Sequence, residues 1–209
     1  MMSLRHEADV YCLLHTWYNN AEIEDLDNSG FAETDNSFKG GGTTMLLRNA
    51  CMEEAYKSYQ CIEDARVYHS LCGFVQWHPE YPTLQTIKDD IEKGIGYVFS
   101  DGNDIYGYCC IIVGDEPAYH LIDGAWKTDR PYAVVHRMAF SQQSRGKGLS
   151  GNAFALIKDF CIKNGIDAIR VDTQDENKVM QHILEREGFQ YCGLVTFDGG
   201  PKLAYEWDR

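Results

Sequence analysis

From Met45 onward, apolar residues recur at spacings that switch between two and three-to-four, so the chain reads as strands and helices in regular succession. Met45-Leu-Leu-Arg predicts an opening strand. Helices follow over 52–67 and 83–93, the second stopped by Gly94. A strand over 97–100 and another over 105–113 flank Asp101-Gly102-Asn103-Asp104, which has the composition of a hairpin turn. A longer apolar strand covers 132–140. In the helix predicted over 149–164, Leu149, Ala153, Leu156, Ile157, Phe160 and Cys161 fall on one face, and Gly165 ends it. A strand over 168–173, a helix over 178–187 capped by Gly188, and strands over 190–196 and 202–207 complete the succession.

The first 44 residues break this order. Ala8 to Tyr18 predicts a short helix with Val10, Leu13, Leu14 and Trp17 on one side. The segment 19–44 then passes through NNAEIEDLDNSG and KGGGTT, the composition of a polar, glycine-rich linker. Arg5 and Lys39 stand there against Glu7, Asp9, Glu22, Glu24, Asp25, Asp27, Glu33 and Asp35. The expected organisation is an acidic extension over 1–44 and one α/β (α+β) domain over 45–209.

The 209 residues are 44% hydrophobic, enough for a substantial core. A formal net charge of −13 argues against nucleic acid and anionic membrane as partners, both of which demand basic patches. No apolar run reaches the ~18 residues of a membrane span, and MMSLRHEADVYC lacks the build of a secretory signal, so a cytoplasmic location is expected. Cysteines at 12, 51, 61, 72, 109, 110, 161 and 192 form no Cys-x-x-Cys pair, and the histidines form no His-x-x-x-His pair. Reduced, buried thiols and no metal are therefore expected.

The chemistry concentrates in Tyr132 to Gly151, YAVVHRMAFSQQSRGKGLSG, where the long strand meets a basic turn that opens into a helix. A helix N-terminus presents unpaired N–H groups and the positive end of the macrodipole, which together favour an anion such as a diphosphate. Gly146 and Gly148 leave the backbone open to phosphate oxygens, while Arg145 and Lys147 add positive charge. The turn lacks the Gly-Lys-Ser/Thr ending of a nucleotide P-loop and the spacing of a dinucleotide fingerprint. Its frame, Arg145-x-x-Gly148-x-Ser150, resembles the acetyl-CoA loop of the GNAT (GCN5-related) N-acetyltransferase superfamily, Arg/Gln-x-x-Gly-x-Gly/Ala, with serine at the last position. The order of elements from Met45 to the C-terminus also matches that family.

This resemblance implies the GNAT acyl-CoA N-acyltransferase fold, a mixed, mostly antiparallel central sheet flanked by helices, with acetyl-CoA as cosubstrate. It implies that Met138, Ala139 and Phe140 offer backbone groups to the pantetheine, with an N–H near Met138 polarising the acetyl carbonyl. Arg145, Gly146, Lys147, Gly148, Leu149, Ser150 and Gly151 would hold the diphosphate. Asn177 matches an asparagine placed near the pantetheine arm and reads equally as an ordinary helix N-cap. The family's usual acid, a tyrosine seven residues later, is replaced by Leu184, which leaves Tyr191 or His182 as substitutes; a strand tyrosine and a solvent-facing histidine are the plainer readings.

An alkyl amine of pKa ~10 needs a base at neutral pH. His136, two residues before Met138, is the leading choice, alongside a water relay from Asp172 or Glu80, while Arg137 is expected to pair with a carboxylate. Trp77, Glu80, Tyr81 and Trp126 suit an ammonium-bearing acceptor, although large aromatics also fill cores. The reading is an N-acetyltransferase acting on a primary amine of a small molecule or peptide by direct attack, with homodimers frequent in the family. A non-catalytic acyl-CoA-binding sensor or scaffold of the same fold is the alternative, and a nucleotide-binding regulatory domain a third, disfavoured by the missing hydroxyl after the loop lysine.

Overall fold

The structure is a computed structural model that describes residues 37–40, 43–197 and 199–209. The helix expected over 8–18 and most of the linker lie outside the described residues. A nine-stranded sheet organises the rest: β1 (Ser37–Gly40), β2 (Thr43–Asn49), β3 (Gly96–Ser100), β4 (Ile105–Val113), β5 (Asp123–Gly124), β6 (Ala133–Phe140), β7 (Ala168–Thr173), β8 (Gln190–Phe197) and β9 (Gly200–Asp208), in the spatial order β1-β2-β3-β4-β6-β7-β9-β8-β5. Helices α1 (Ala55–Leu71), α2 (Leu84–Glu92), α3 (Leu149–Lys163) and α4 (Lys178–Arg186) pack on it. Every strand pair is antiparallel except β6 with β7, joined through α3 as a parallel pair requires.

Both faces of the sheet are covered, which explains why β3 and the middle of β4 read as unbroken apolar runs. On one face Phe154, Ile157, Phe160 and Cys161 of α3 and Leu184 of α4 meet Met45, Phe99, Ile111, Val135, Val171 and Tyr205. On the other, Cys61, Ile62 and Ala65 of α1 and Ile87 of α2 close over Val98, Tyr108 and Ala139. A third cluster joins Tyr119, Val134, Val195 and Ala204 on the sheet's β8 side. Cap chemistry sets the start of α2. The Thr83 hydroxyl accepts from the Thr86 N–H at 3.2 Å and the Thr86 hydroxyl from the Thr83 N–H at 3.1 Å.

Two departures from the sequence reading have physical causes. The segment 37–44, expected as linker, contributes β1 and the start of β2: Phe38 pairs with Met45 and Lys39 with Thr44, so backbone pairing begins inside a stretch whose composition signals only a turn. The helix expected to begin at 52 opens as a 3-10 turn over Met52–Glu54, and α1 itself extends to Leu71.

Strand β6 carries the feature that shapes the site. Its register with β4 shifts between Cys110↔His136 and Tyr108↔Ala139, so Arg137 and Met138 together oppose Cys109 in a β-bulge. With β7 it pairs only at Ala133↔Ile169 and Val134↔Arg170. Beyond that point the parallel strands part, and the β7-facing side of 135–140 is left without a strand partner.

Candidate active site

The parted end of β6 runs into the glycine turn. A 3-10 turn over Gln142–Ser144 is anchored on α1, where the Gln142 N–H donates to Asp64 Oδ2 at 2.6 Å. Arg145 is held there too: its guanidinium donates to the Asp64 carbonyl and stacks over Tyr68 at 4.8 Å, so its charge faces α1. Gly146 and Gly148 then adopt φ of 73° and 70°, and a Cβ built on either would meet no atom within 4 Å. Gly148 is the N-cap of α3 and supplies no side-chain cap. The first-turn amides of Leu149, Ser150 and Gly151 therefore have no intrahelical acceptor and lie at the positive end of the helix.

Arg186, at the end of α4, is a neighbour the sequence did not reveal. Its guanidinium lies 3.4 Å from Ser150 Oγ and 2.9 Å from Glu187 Oε1. A Cβ on Gly151 would approach that pair at 3.2 and 3.0 Å, so this glycine keeps the helix start close to the only strong positive group on α4's last turn. Asn177 realises its N-cap reading: Oδ1 accepts from the Met180 N–H at 3.0 Å, and Nδ2 donates to Gln76 at 2.5 Å.

His136 occupies the face of β6 turned toward the Pro117–Leu121 turn, and carboxylates flank both its nitrogens. Nε2 lies 3.2 Å from Glu116 Oε2, and Nδ1 lies 3.7 Å from Asp172 Oδ1. The Tyr119 hydroxyl donates to Asp172 Oδ1 at 2.9 Å, and Lys202 Nζ stands 3.5 Å from Asp172 Oδ2. The side chains of His136, Glu116 and Asp172 are only 16%, 13% and 6% exposed, so these charges interact with little screening. Nε2 is within hydrogen-bond distance of Glu116, and Nδ1 within ion-pair distance of Asp172. Burial and the adjacent Asp172 carboxylate push the Tyr119 phenol far above its ordinary range, so it stays a hydrogen-bond donor.

Arg137 pairs with a carboxylate, as expected, and the partner is Asp90 of α2. Its Nε and Nη2 donate to Asp90 Oδ2 and Oδ1 at 2.9 and 2.8 Å, and its Nη1 donates to Tyr81 Oη at 2.6 Å. Tyr81 thus sits beside β6. Trp77 packs into the α1–α2 core, edge-on to His69 at 5.6 Å, which is the core-filling role of a large aromatic. Glu80 is exposed. The Trp126 ring lies tilted against Tyr119 at 4.9 Å, donates from its indole to the Tyr119 carbonyl at 3.0 Å and covers the Arg170 guanidinium at 4.2 Å. Tyr119, Trp126, Tyr132 and Arg170 line a cleft of about 270 Å³ whose lining does not include His136.

Tyr191 is not brought to His136. It opposes Tyr205, which opposes Val171, and directly opposed residues share a face. Val171 and Tyr205 belong to the core under α3 and α4. Asp172, the next residue of β7, points to the other face, where His136 lies. His182 is exposed, and Leu184 is fully buried in the α3–α4 core. Burial pushes the thiols of Cys61, Cys110 and Cys161 up to about 12, so none is a ready nucleophile. Among the described residues no group of His, Cys, Asp and Glu is placed to hold a metal ion, and no helix is long and apolar enough to cross a membrane.

The architecture is a mixed sheet in which a bulged strand parts from its parallel neighbour and leads into a helix without a side-chain cap. The model of the acetyltransferase (GNAT) family matches residues 52–189, about two thirds of the chain, and the protein belongs to that family. A GNAT-family acetyltransferase from Streptococcus agalactiae 2603 is 34% identical, with a TM-score of 0.73 over 79% of this chain and 95% of that one. Another from Listeria monocytogenes 4b F2365 is 21% identical, with a TM-score of 0.65 over 83% and 99%. The aminoglycoside acetyltransferase AAC(6')-Ib, solved with coenzyme A and kanamycin, shares the fold at 20% identity and a TM-score of 0.58 over 79% and 95%. No curated protein matches the sequence.

Proposed function

We propose that this acetyltransferase takes acetyl-CoA as cosubstrate, seats the diphosphate on the amides of Gly146 to Gly151, and transfers the acetyl group to a primary amine by direct attack in a ternary complex. The observation that carries the proposal is the conjunction of an α3 start without a side-chain cap with the parting of β6 from β7 along the strand that leads into it. A structural relative of this fold, AAC(6')-Ib, was solved with coenzyme A and an aminoglycoside amine, which supports a small cationic acceptor.

In this reading His136 removes the ammonium proton, directly or through one water, while Glu116 and Asp172 orient the ring and stabilise it once charged. The amine lone pair then attacks the thioester carbonyl. The Met138 N–H in the bulge donates to the developing oxyanion, a contact commonly worth ~3 kcal/mol. Collapse of the tetrahedral adduct breaks the C–S bond, the proton still on the attacking nitrogen passes to solvent, and a thiol of pKa ~8.5 leaves as thiolate without a dedicated acid. That suits a chain with leucine buried at 184 and Tyr191 on the wrong face. The test is incubation of acetyl-CoA with a panel of primary amines, following free thiol and N-acetylated product together. Equal amounts of both support the proposal; saturable binding without thiol release assigns the chain to a non-catalytic acyl-CoA-binding role instead.

A further inference from the structure

Among the described residues Arg137 is the one non-glycine residue with positive φ, at 54°. A residue with a Cβ is held in that conformation only where its surroundings over-determine it. Here the surroundings are three side chains from three other segments. Asp90 of α2 takes two of the Arg137 N–H bonds, at 2.9 and 2.8 Å, and Tyr81 takes a third at 2.6 Å. Tyr108 of β4 donates to Asp90 Oδ2 at 2.8 Å and so fixes the carboxylate from the opposite side. Asp90 is 5% exposed, and its geometry with Arg137 is the bidentate fork that constrains direction as well as distance.

The consequence follows from peptide geometry. The Met138 N–H lies in the same rigid plane as the Arg137 carbonyl, so its direction is set by the two backbone torsions of Arg137. Ordinary strand pairing cannot set them, because two residues of β6 oppose Cys109 alone. We infer that Arg137 and Asp90 are positioning residues that hold the bulge of β6 and thereby aim the Met138 N–H into the gap beside β7. Tyr81 extends the clamp to the loop before α2. The inference rests on the acetyl-CoA reading above and goes beyond it, since it assigns the donor's aim to a side-chain clamp and not to the sheet.

The readout separates aim from stability. Acetyl-CoA and CoA differ at the carbonyl that the Met138 N–H would contact, so their affinities are measured by calorimetry for the wild type, Arg137→Ala, Arg137→Gly and Asp90→Asn. The ratio of the CoA to the acetyl-CoA dissociation constant is expected to fall about fivefold in each variant, the equivalent of one neutral hydrogen bond. At saturating substrates kcat is expected to drop about a hundredfold, as for loss of one oxyanion donor. Arg137→Gly tolerates φ of 54° without a Cβ, so a glycine variant that keeps the wild-type ratio shows that the clamp is dispensable and overturns the inference. Equal weakening of both ligands in all variants overturns it too, because that is the mark of a structural role alone. Should Arg137→Ala not fold, Asp90→Asn, which keeps the side-chain volume, decides by the same ratio. A wild type that binds neither ligand refutes the cofactor reading itself, an outcome distinct from failure of the clamp.

Discussion

Gly148→Asp is the substitution for which the structure predicts a loss of ligand binding with almost no loss of fold. Gly148 lies at φ 70° and ψ 15°, where an L-residue carries a penalty of roughly 1–2 kcal/mol that aspartate lessens by local hydrogen bonding. A Cβ there meets nothing within 4 Å, so no steric term is added. The new carboxylate also becomes an N-cap beside the unpaired amides of α3, a contact worth ~1 kcal/mol that offsets the backbone cost. Net stability should therefore change by less than about 1 kcal/mol, two or three degrees in melting temperature for a chain of this size. The same carboxylate occupies the amides a diphosphate needs and repels its charge. Wild-type protein with acetyl-CoA at a hundred times its dissociation constant should gain ~2.7 kcal/mol, a rise of about 5–10 °C. Scanning calorimetry with and without ligand reads both quantities. A variant that melts like the wild type and keeps the full ligand-induced rise would refute the placement of the diphosphate.

Three further outcomes follow from the geometry. His136→Gln should lower kcat by ~10²–10⁴ while leaving the acetyl-CoA dissociation constant in place, as removal of a general base does; unchanged turnover would remove His136 from the mechanism. Glu206 is fully buried, accepts from the Lys127 N–H and the Thr128 hydroxyl at 2.7 Å each, and lies 3.7 Å from the buried Arg170. Glu206→Ala leaves that guanidinium uncompensated and should cost ~3–5 kcal/mol in urea unfolding, with the 125–132 segment released. Burial, helped by Arg145, holds the His69 imidazole down to about 4, below its ordinary 6.5. The unfolded chain then binds the proton first, so this contribution is complete above pH 6.5 and is lost as the pH falls toward 4, about 2 kcal/mol after allowance for solvent screening. His69→Leu should flatten that stretch of the stability–pH curve.

Much of the architecture was legible because the periodicity changes cleanly between elements. Strands β4 and β7 keep the bounds expected of them, and Gly94, Gly165 and Gly188 lie just past α2, α3 and α4. β1 was not legible, since Ser37–Gly40 has too few apolar side chains to show alternation and owes its conformation to pairing with β2. Two-residue β5 depends on Gly124 and Gly193 approaching so closely that a Cβ on either would lie 2.2 Å from a carbonyl oxygen. At the site, the loop glycines, His136 and Asp172 stood out as local signals, whereas Glu116 and the Asp90 partner of Arg137 did not. Glu116 is 20 residues from His136 and Asp90 is 47 from Arg137, and only the strand order joins them. The face occupied by Tyr191 was hidden for the same reason: it follows from the β7-β9-β8 register.

In the mechanism proposed above, main-chain amides where β6 hands over to α3 receive the diphosphate of acetyl-CoA. Titration of ¹⁵N-labelled protein with acetyl-CoA tests it at single residues. The amide resonances of Gly146, Gly148, Leu149, Ser150 and Gly151 should shift downfield in saturable fashion, together with that of Met138. Saturable binding that leaves these six resonances in place and moves others would contradict it.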